Sequence, residues 1–258
     1  MFLPHAEKVA TIGRMIIDGL ILRESLSAGI SVFIGKQVFT PVFSFSRKAF
    51  FVGKSYPHRV RERGRMKLLE EKIRKEGKIF PGNIVKVSSF LNHQLDIPLL
   101  EEMGKEIARL YAGSGVNKVL TVESSGIAIA VFAGRELKVP VLFAKKGETS
   151  NLKSDLYQTP IESFTHHRTY NVTVSKEFLG REDKVLIVDD FLANGKALEG
   201  LIDIVGQAGG EVIGCAIAIE KGFQGAGDRL RAQGVRVESL AIIDEMTDSS
   251  VTFRGDKK

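Results

Sequence analysis

Lys184-Val185-Leu186-Ile187-Val188-Asp189-Asp190-Phe191-Leu192-Ala193-Asn194-Gly195-Lys196-Ala197 is the stretch on which the fold turns. Four apolar residues run into two adjacent carboxylates, a loop of small residues follows, and Leu198 to Val205 then carries apolar residues at helical spacing. A short apolar run that feeds such a segment reads as a buried parallel strand and its crossover helix. In open sheets of that kind ligands collect at the carboxyl ends of the strands, where Asp189 and Asp190 stand. The N–H groups of Ala193, Asn194, Gly195, Lys196 and Ala197, at the start of the helix, suit an anion. Gly195 allows the backbone conformation that such a loop requires. A solvated turn with a helix cap would use the same residues. Two nucleotide motifs are excluded. A Walker A loop needs Gly where Asp190 stands and Ser or Thr where Ala197 stands, and Gly113-Ser114-Gly115 precedes a strand where a dinucleotide fingerprint would follow one.

Working outward, apolar runs predict strands over Lys118–Glu123, Val139–Phe143, Lys184–Asp189, Val212–Glu220 and Val235–Ile243. Helix-spaced segments fall between them at Ile97–Tyr111, Ile127–Leu137, Lys196–Ala208 and Gly227–Gln233. Alternation of this kind is the mark of an α/β fold with a central parallel sheet flanked by helices. The interval Gly147–Lys176 breaks the alternation. It begins polar and continues as Ile161–Phe164 and Tyr170–Val174 around His166-His167-Arg168, which suggests two antiparallel strands and a turn. An insertion of that size is either a working loop or a surface hairpin.

The formal net charge of +6 would by itself suggest an acidic partner, but its distribution does not. Residues 1–65 hold 11 of the 37 basic and 4 of the 31 acidic residues, a net of +7, which leaves residues 66–258 at −1. Nucleic acid is therefore not an expected partner of the main body. Residues 1–65 also hold 7 of the 16 Phe and the basic cluster Arg59 to Arg65, without a sustained period. They read as a non-native or poorly ordered extension. A transit-type peptide and a nucleic-acid-binding arm are the competing readings. Met66 directly precedes an amphipathic segment, so the domain is expected to span 66–258. Cys215 is the only cysteine and lies in an apolar run, which excludes an intrachain disulfide and favours a buried thiol in a reducing, cytoplasmic setting. The five His show no zinc spacing, and no apolar stretch reaches the roughly 18 residues of a membrane span.

The stretch Val185–Ala197 resembles the phosphoribosyl pyrophosphate (PRPP) motif of type I phosphoribosyltransferases, and its Ala193-Asn194-Gly195 ending is similar to their bacterial xanthine branch. The resemblance runs from Met66 to about Phe253. It takes in Ser89–Gln94, Val122–Ala128 and Glu220–Gln224 but not residues 1–65. It implies a type I fold with a small hood and a flexible hairpin loop. The implied activity is a purine-salvage transfer of the phosphoribosyl group to xanthine, with Mg2+ carried by PRPP and no metal ligand assigned to the protein. A cytoplasmic homodimer is also implied. By the same resemblance Asp189 and Asp190 hold the ribose hydroxyls and residues 193–197 the 5′-phosphate. Glu123, Ser124, Ser125, Gly126 and Lys146 then face pyrophosphate, and Val85, Asn92 and Lys221 face the base. Ala193 and Ala197 stand where many members have Thr, which shifts phosphate binding onto main-chain donors. Read on their own, Ser125 would be a helix cap, Lys145 and Lys146 a solvated pair, Asn92 a turn residue, Lys221 an exposed strand end and Val85 core. A guanine- or hypoxanthine-preferring enzyme and a PRPP-sensing transcription regulator with a basic arm are the alternatives.

Overall fold

A computed structural model describes residues 16–17, 20–23, 31–34, 37–39, 66–147, 155–163 and 168–256. The chain divides into two compact units, Met1–Arg47 and Lys48–Lys258. In the first, β1 (Ile16–Ile17), β2 (Leu20–Arg23), β3 (Ser31–Ile34) and β4 (Gln37–Phe39) pair in chain order as an antiparallel sheet. Strands of two to four residues are too short to show a period in sequence. The Arg59 to Arg65 cluster lies outside the described residues.

In the second unit, α1 (Lys67–Glu76) buries Leu69 and Ile73, one turn apart, and leaves Leu68 exposed. The Met66 N–H just before it donates to the Leu240 carbonyl at 2.8 Å. β5 (Lys78–Phe80) and β6 (Ile84–Lys86) then form a small hairpin, the hood, around Gly82 and Asn83, both at positive φ. A π-helical turn over Ser88–Asn92 leads into α2 (Ile97–Leu110), capped by Asp96, whose Oδ1 accepts from the Leu99 N–H at 3.1 Å.

The remaining elements build the main sheet. They are β7 (Lys118–Val122), α3 (Gly126–Leu137), β8 (Val141–Gly147), β9 (Leu156–Ser163), β10 (Arg168–Ser175), β11 (Lys184–Leu192), α4 (Lys196–Ala208), β12 (Glu211–Lys221), α5 (Ala226–Ala232), β13 (Val237–Met246) and β14 (Val251–Phe253). Strand order is β14-β13-β12-β11-β7-β8-β10-β9. The five strands β13, β12, β11, β7 and β8 are parallel, while β14 on one side and the β10/β9 hairpin on the other run antiparallel. Side chains alternate across the sheet. Leu186 and Val188 of β11 join α1, α2 and α3 in one core, whereas Val185 and Ile187 join α4, α5 and the hairpin in the other.

All five predicted parallel strands and the hairpin are present. β8 lies two residues later at its start than its apolar run suggested and extends to Gly147, because Lys145–Gly147 pair with Asn171–Thr173. β11 continues past the carboxylates, because β12 pairs with it as far as Leu192. The hood strands and β14, three residues each, were not expected as strands. Residues 148–154 and 164–167, within the predicted flexible loop, lie outside the described residues. At mid-sheet, Cys215 is fully buried, its N–H donates to the Arg236 carbonyl at 2.8 Å, and burial suppresses ionisation of its thiol.

Candidate active site

The order of the sheet reverses between β7 and β11. α3 leaves β7 towards one face and α4 leaves β11 towards the other, which is the arrangement that opens a ligand crevice at the strand ends. β7 and β11 pair only through Val185–Ile187, so their carboxyl ends are free to part. Gly126, the first residue of α3, fills the gap. A Cβ there would meet the Thr121 hydroxyl and lie 3.0 Å from Asp189 Oδ1. The Thr121 hydroxyl is buried and is the one such side-chain atom without a hydrogen-bond partner among the described residues.

Asp189 is only 5% exposed. Its Oδ1 accepts from the Asp190 N–H at 3.0 Å, and Asp190 Oδ1 accepts from the Phe191 N–H at 3.0 Å. Burial pushes both carboxyls up, Asp189 furthest. Repulsion from Asp190 adds to the effect on Asp189 and the charge of Lys146 opposes it, while bonds from the Phe191 N–H and the Asn92 side chain restrain Asp190. Two carboxylates sharing a half-dry site are costly until a cation or a set of hydroxyl donors reaches them. The chemistry they suit is stabilisation of positive charge developing on a bound ligand.

A second wall comes from the turn between β7 and α3. Glu123 Oε1 accepts from the Lys146 N–H at 2.6 Å, which ties this turn to β8. The Glu123–Ser124 peptide is cis. Ser125 occupies the N-cap position but makes no side-chain capping bond, so capping does not account for its hydroxyl. Lys146 Nζ lies 5.4 Å from the centre of the Tyr170 ring, and Tyr170 is itself close enough to Asp189 for that charge, after burial, to raise its phenol pKa. Tyr170 was not among the expected site residues. The cross-strand register, with Val172 opposite Lys146, brings it there, and no local pattern encodes that pairing.

The loop expected to cradle an anion opens α4. Gly195 sits at φ +88°, the Lys196 N–H donates to Asn194 Oδ1 at 3.1 Å, and the Glu199 N–H donates to the Gly195 carbonyl at 2.8 Å. The first N–H groups of any helix lack partners inside it, so this end retains donors for a ligand. At the end of β12, Lys221 is half-buried, which lowers its pKa, and its ammonium donates to the Asn83 carbonyl of the hood at 3.0 Å. Val85 of the hood is buried in the apolar core. The carboxylates, Asn92, Gly126, Glu123 and Lys146 thus gather at one crevice. The hydrogen bond of Lys221 links β12 to the hood, and Val85 presents packing surface alone.

Among the described residues no three His, Cys, Asp or Glu side chains gather as a metal cage. Mg2+ is commonly held by one or two carboxylates together with the oxygens of its substrate, and the Asp189–Asp190 pair fits that partial role. No helix among the described residues is long and apolar enough to cross a membrane.

The family described as "Phosphoribosyl transferase domain" matches residues 86–249. A xanthine phosphoribosyltransferase of Alkaliphilus metalliredigens is 54% identical over 192 residues, covering 74% of this chain and 95% of that relative. One from Lachnoclostridium phytofermentans is 53% identical over 194 residues, covering 74% and 100%. Adenine phosphoribosyltransferase from Rhodothermus marinus shares the fold with a TM-score of 0.57 at 23% identity, covering 69% of this chain and 100% of its own.

Proposed function

The chain belongs to the phosphoribosyl transferase family, and from that membership we propose that it transfers the phosphoribosyl group of PRPP to xanthine, releasing pyrophosphate and xanthosine 5′-monophosphate. The observation that carries the chemistry is the adjacent Asp189–Asp190 pair, the first buried and the second partly buried, at the reversal of strand order and flanked by the start of α4. Asp189 and Asp190 hold the ribose hydroxyls, and their charge favours the cationic character that the ring acquires as pyrophosphate departs. The loop Ala193, Asn194, Gly195, Lys196 and Ala197 takes the 5′-phosphate. The turn Glu123, Ser124, Ser125 and Gly126, with Lys146, faces the pyrophosphate. Mg2+ carried with PRPP, the Asp189–Asp190 pair beside it, would supply positive charge to offset that of the leaving group.

For the base, Lys221 is the specifying residue. A half-buried ammonium donates hydrogen bonds and accepts none, so it favours an oxo group and rejects the amino group of adenine. Its bond to the Asn83 carbonyl, an acceptor of the same kind as a purine oxo group, supports this reading. Asn92 lies beside the base and bonds the Asp190 carboxylate, and Val85 supplies apolar backing. Residues 66–258 form the catalytic domain, residues 1–65 are an extension of it, and the enzyme works as a cytoplasmic homodimer. The relatives' full-length matches of 190 residues or slightly more support that boundary, since residues 66–258 have a similar length. Incubation of the protein with PRPP, Mg2+ and each purine base in turn tests the assignment. Xanthosine monophosphate should form fastest and AMP not detectably, and failure to form a nucleotide from any of the purines would overturn it.

A further inference from the structure

Residues 193–197 offer an anion main-chain donors without hydroxyl side chains at either end, since both are Ala. Such a cradle works only if its peptide groups are turned the right way. The Asn194–Gly195 peptide is trans, so its carbonyl and N–H point in opposite directions from one plane. Arg229, in the middle of α5, donates from Nη2 to the Asn194 carbonyl at 3.0 Å. That bond draws the carbonyl towards α5 and leaves the Gly195 N–H facing away from it, available to a ligand. The packing is close. A Cβ on Gly195 would lie 3.1 Å from Arg229 Nη2 and 3.2 Å from Ala226 Cβ.

The same guanidinium also neutralises an awkward charge. Glu199 stands in the first turn of α4, where it competes with any anion for the helix end. Its Oε1 accepts from Arg229 at 2.8 Å, and its Oε2 pairs with Lys196 Nζ at 3.3 Å. We infer that Arg229 is a positioning residue of the 5′-phosphate cradle, pinning the Asn194 carbonyl so that the loop's N–H groups are aimed before the substrate arrives. The inference rests on the reading of residues 193–197 as the phosphate site. Pre-aimed donors raise affinity by lowering the cost of ordering the loop on binding.

Calorimetric titration with PRPP and Mg2+, without base, tests the inference in Arg229→Ala, Arg229→Lys and the double variant Arg229→Ala/Glu199→Gln. The alanine variant should bind PRPP about three- to tenfold more weakly, a moderate effect because the bond to the Asn194 carbonyl is exposed to solvent. Lysine should recover most of the loss, because it also donates to a carbonyl. The double variant should stay weak, because removing the competing charge does not restore the pin. KM for xanthine should stay within twofold, whereas a general loosening of the fold would move both substrates together. Arg229→Met, which keeps the apolar stem and has no N–H donor, carries the same test if the alanine variant fails to fold. Parent-like PRPP binding by Arg229→Ala, or full recovery in the double variant, overturns the inference alone. A parent protein that binds no PRPP removes the proposed function with it.

Discussion

At the residue scale the carboxylate pair carries the clearest expectations. Changing both Asp189 and Asp190 to Asn keeps shape and removes charge, so turnover should fall by about a hundredfold or more while the fold persists. Stability should move the other way. Both groups have native pKa values raised above the ordinary carboxylate value, so the native state holds protons that the unfolded chain has already released. Stability contributed by the pair is therefore highest at or below the ordinary carboxylate pKa and is lost as pH rises through the raised native values. At neutral pH the double variant should melt no lower than the parent. Its advantage should shrink as pH falls through that window, and thermal melts at a series of pH values read this directly. Lys221→Ala should lower kcat/KM for xanthine by about ten- to a hundredfold, while PRPP affinity by calorimetry stays within twofold. Equal losses with every purine base would show that Lys221 does not read the exocyclic oxygen.

At the element scale the link between β11 and α4 depends on Gly195. Its φ of +88° is strained for any side chain, and a Cβ would crowd Arg229 Nη2 and Ala226 Cβ at 3.1 and 3.2 Å, so Gly195→Ala should cost about 1–3 kcal/mol in thermal or denaturant unfolding and weaken PRPP binding together. Parent-like stability would mean that the loop relaxes without strain. This strand-loop-helix unit was legible in sequence, because an apolar run ending in paired acids and a glycine at a helix start are local signals. The boundaries of α4 were read to the residue. What escaped was set by partners distant along the chain. β8 runs to Gly147 because β10 pairs with it, Tyr170 reaches Lys146 and Asp189 through that register, and Arg229 reaches Asn194 from a helix 35 positions away. Asn92 and Lys221 were named in sequence by resemblance. Their contacts with Asp190 and Asn83 follow from where the π-helical turn and the hood hairpin lie, which their own surroundings in sequence do not specify.

At the scale of the whole molecule, a chain beginning at Met66 should keep the parent's turnover and melt within a few degrees of it. The donor at Met66 that binds the Leu240 carbonyl survives as an α-amino group, and the phosphoribosyl transferase match begins well inside that limit. A large loss of either property would show that the first 65 residues complete the domain. The parallel sheet has one more consequence, through Cys215. It is the only thiol in the chain and lies at zero exposure in β12, between β11 and β13. It can therefore serve as a built-in clock of sheet opening. An alkylating reagent added to the native protein should modify Cys215 only at the rate at which β12 separates from its neighbours, and PRPP with Mg2+ should slow that rate by stabilising the closed sheet. Prompt labelling of the folded protein would place an opening at mid-sheet that the packing does not admit. Slow labelling would make one reagent a report on ligand binding and global stability together, with no probe engineered into the chain.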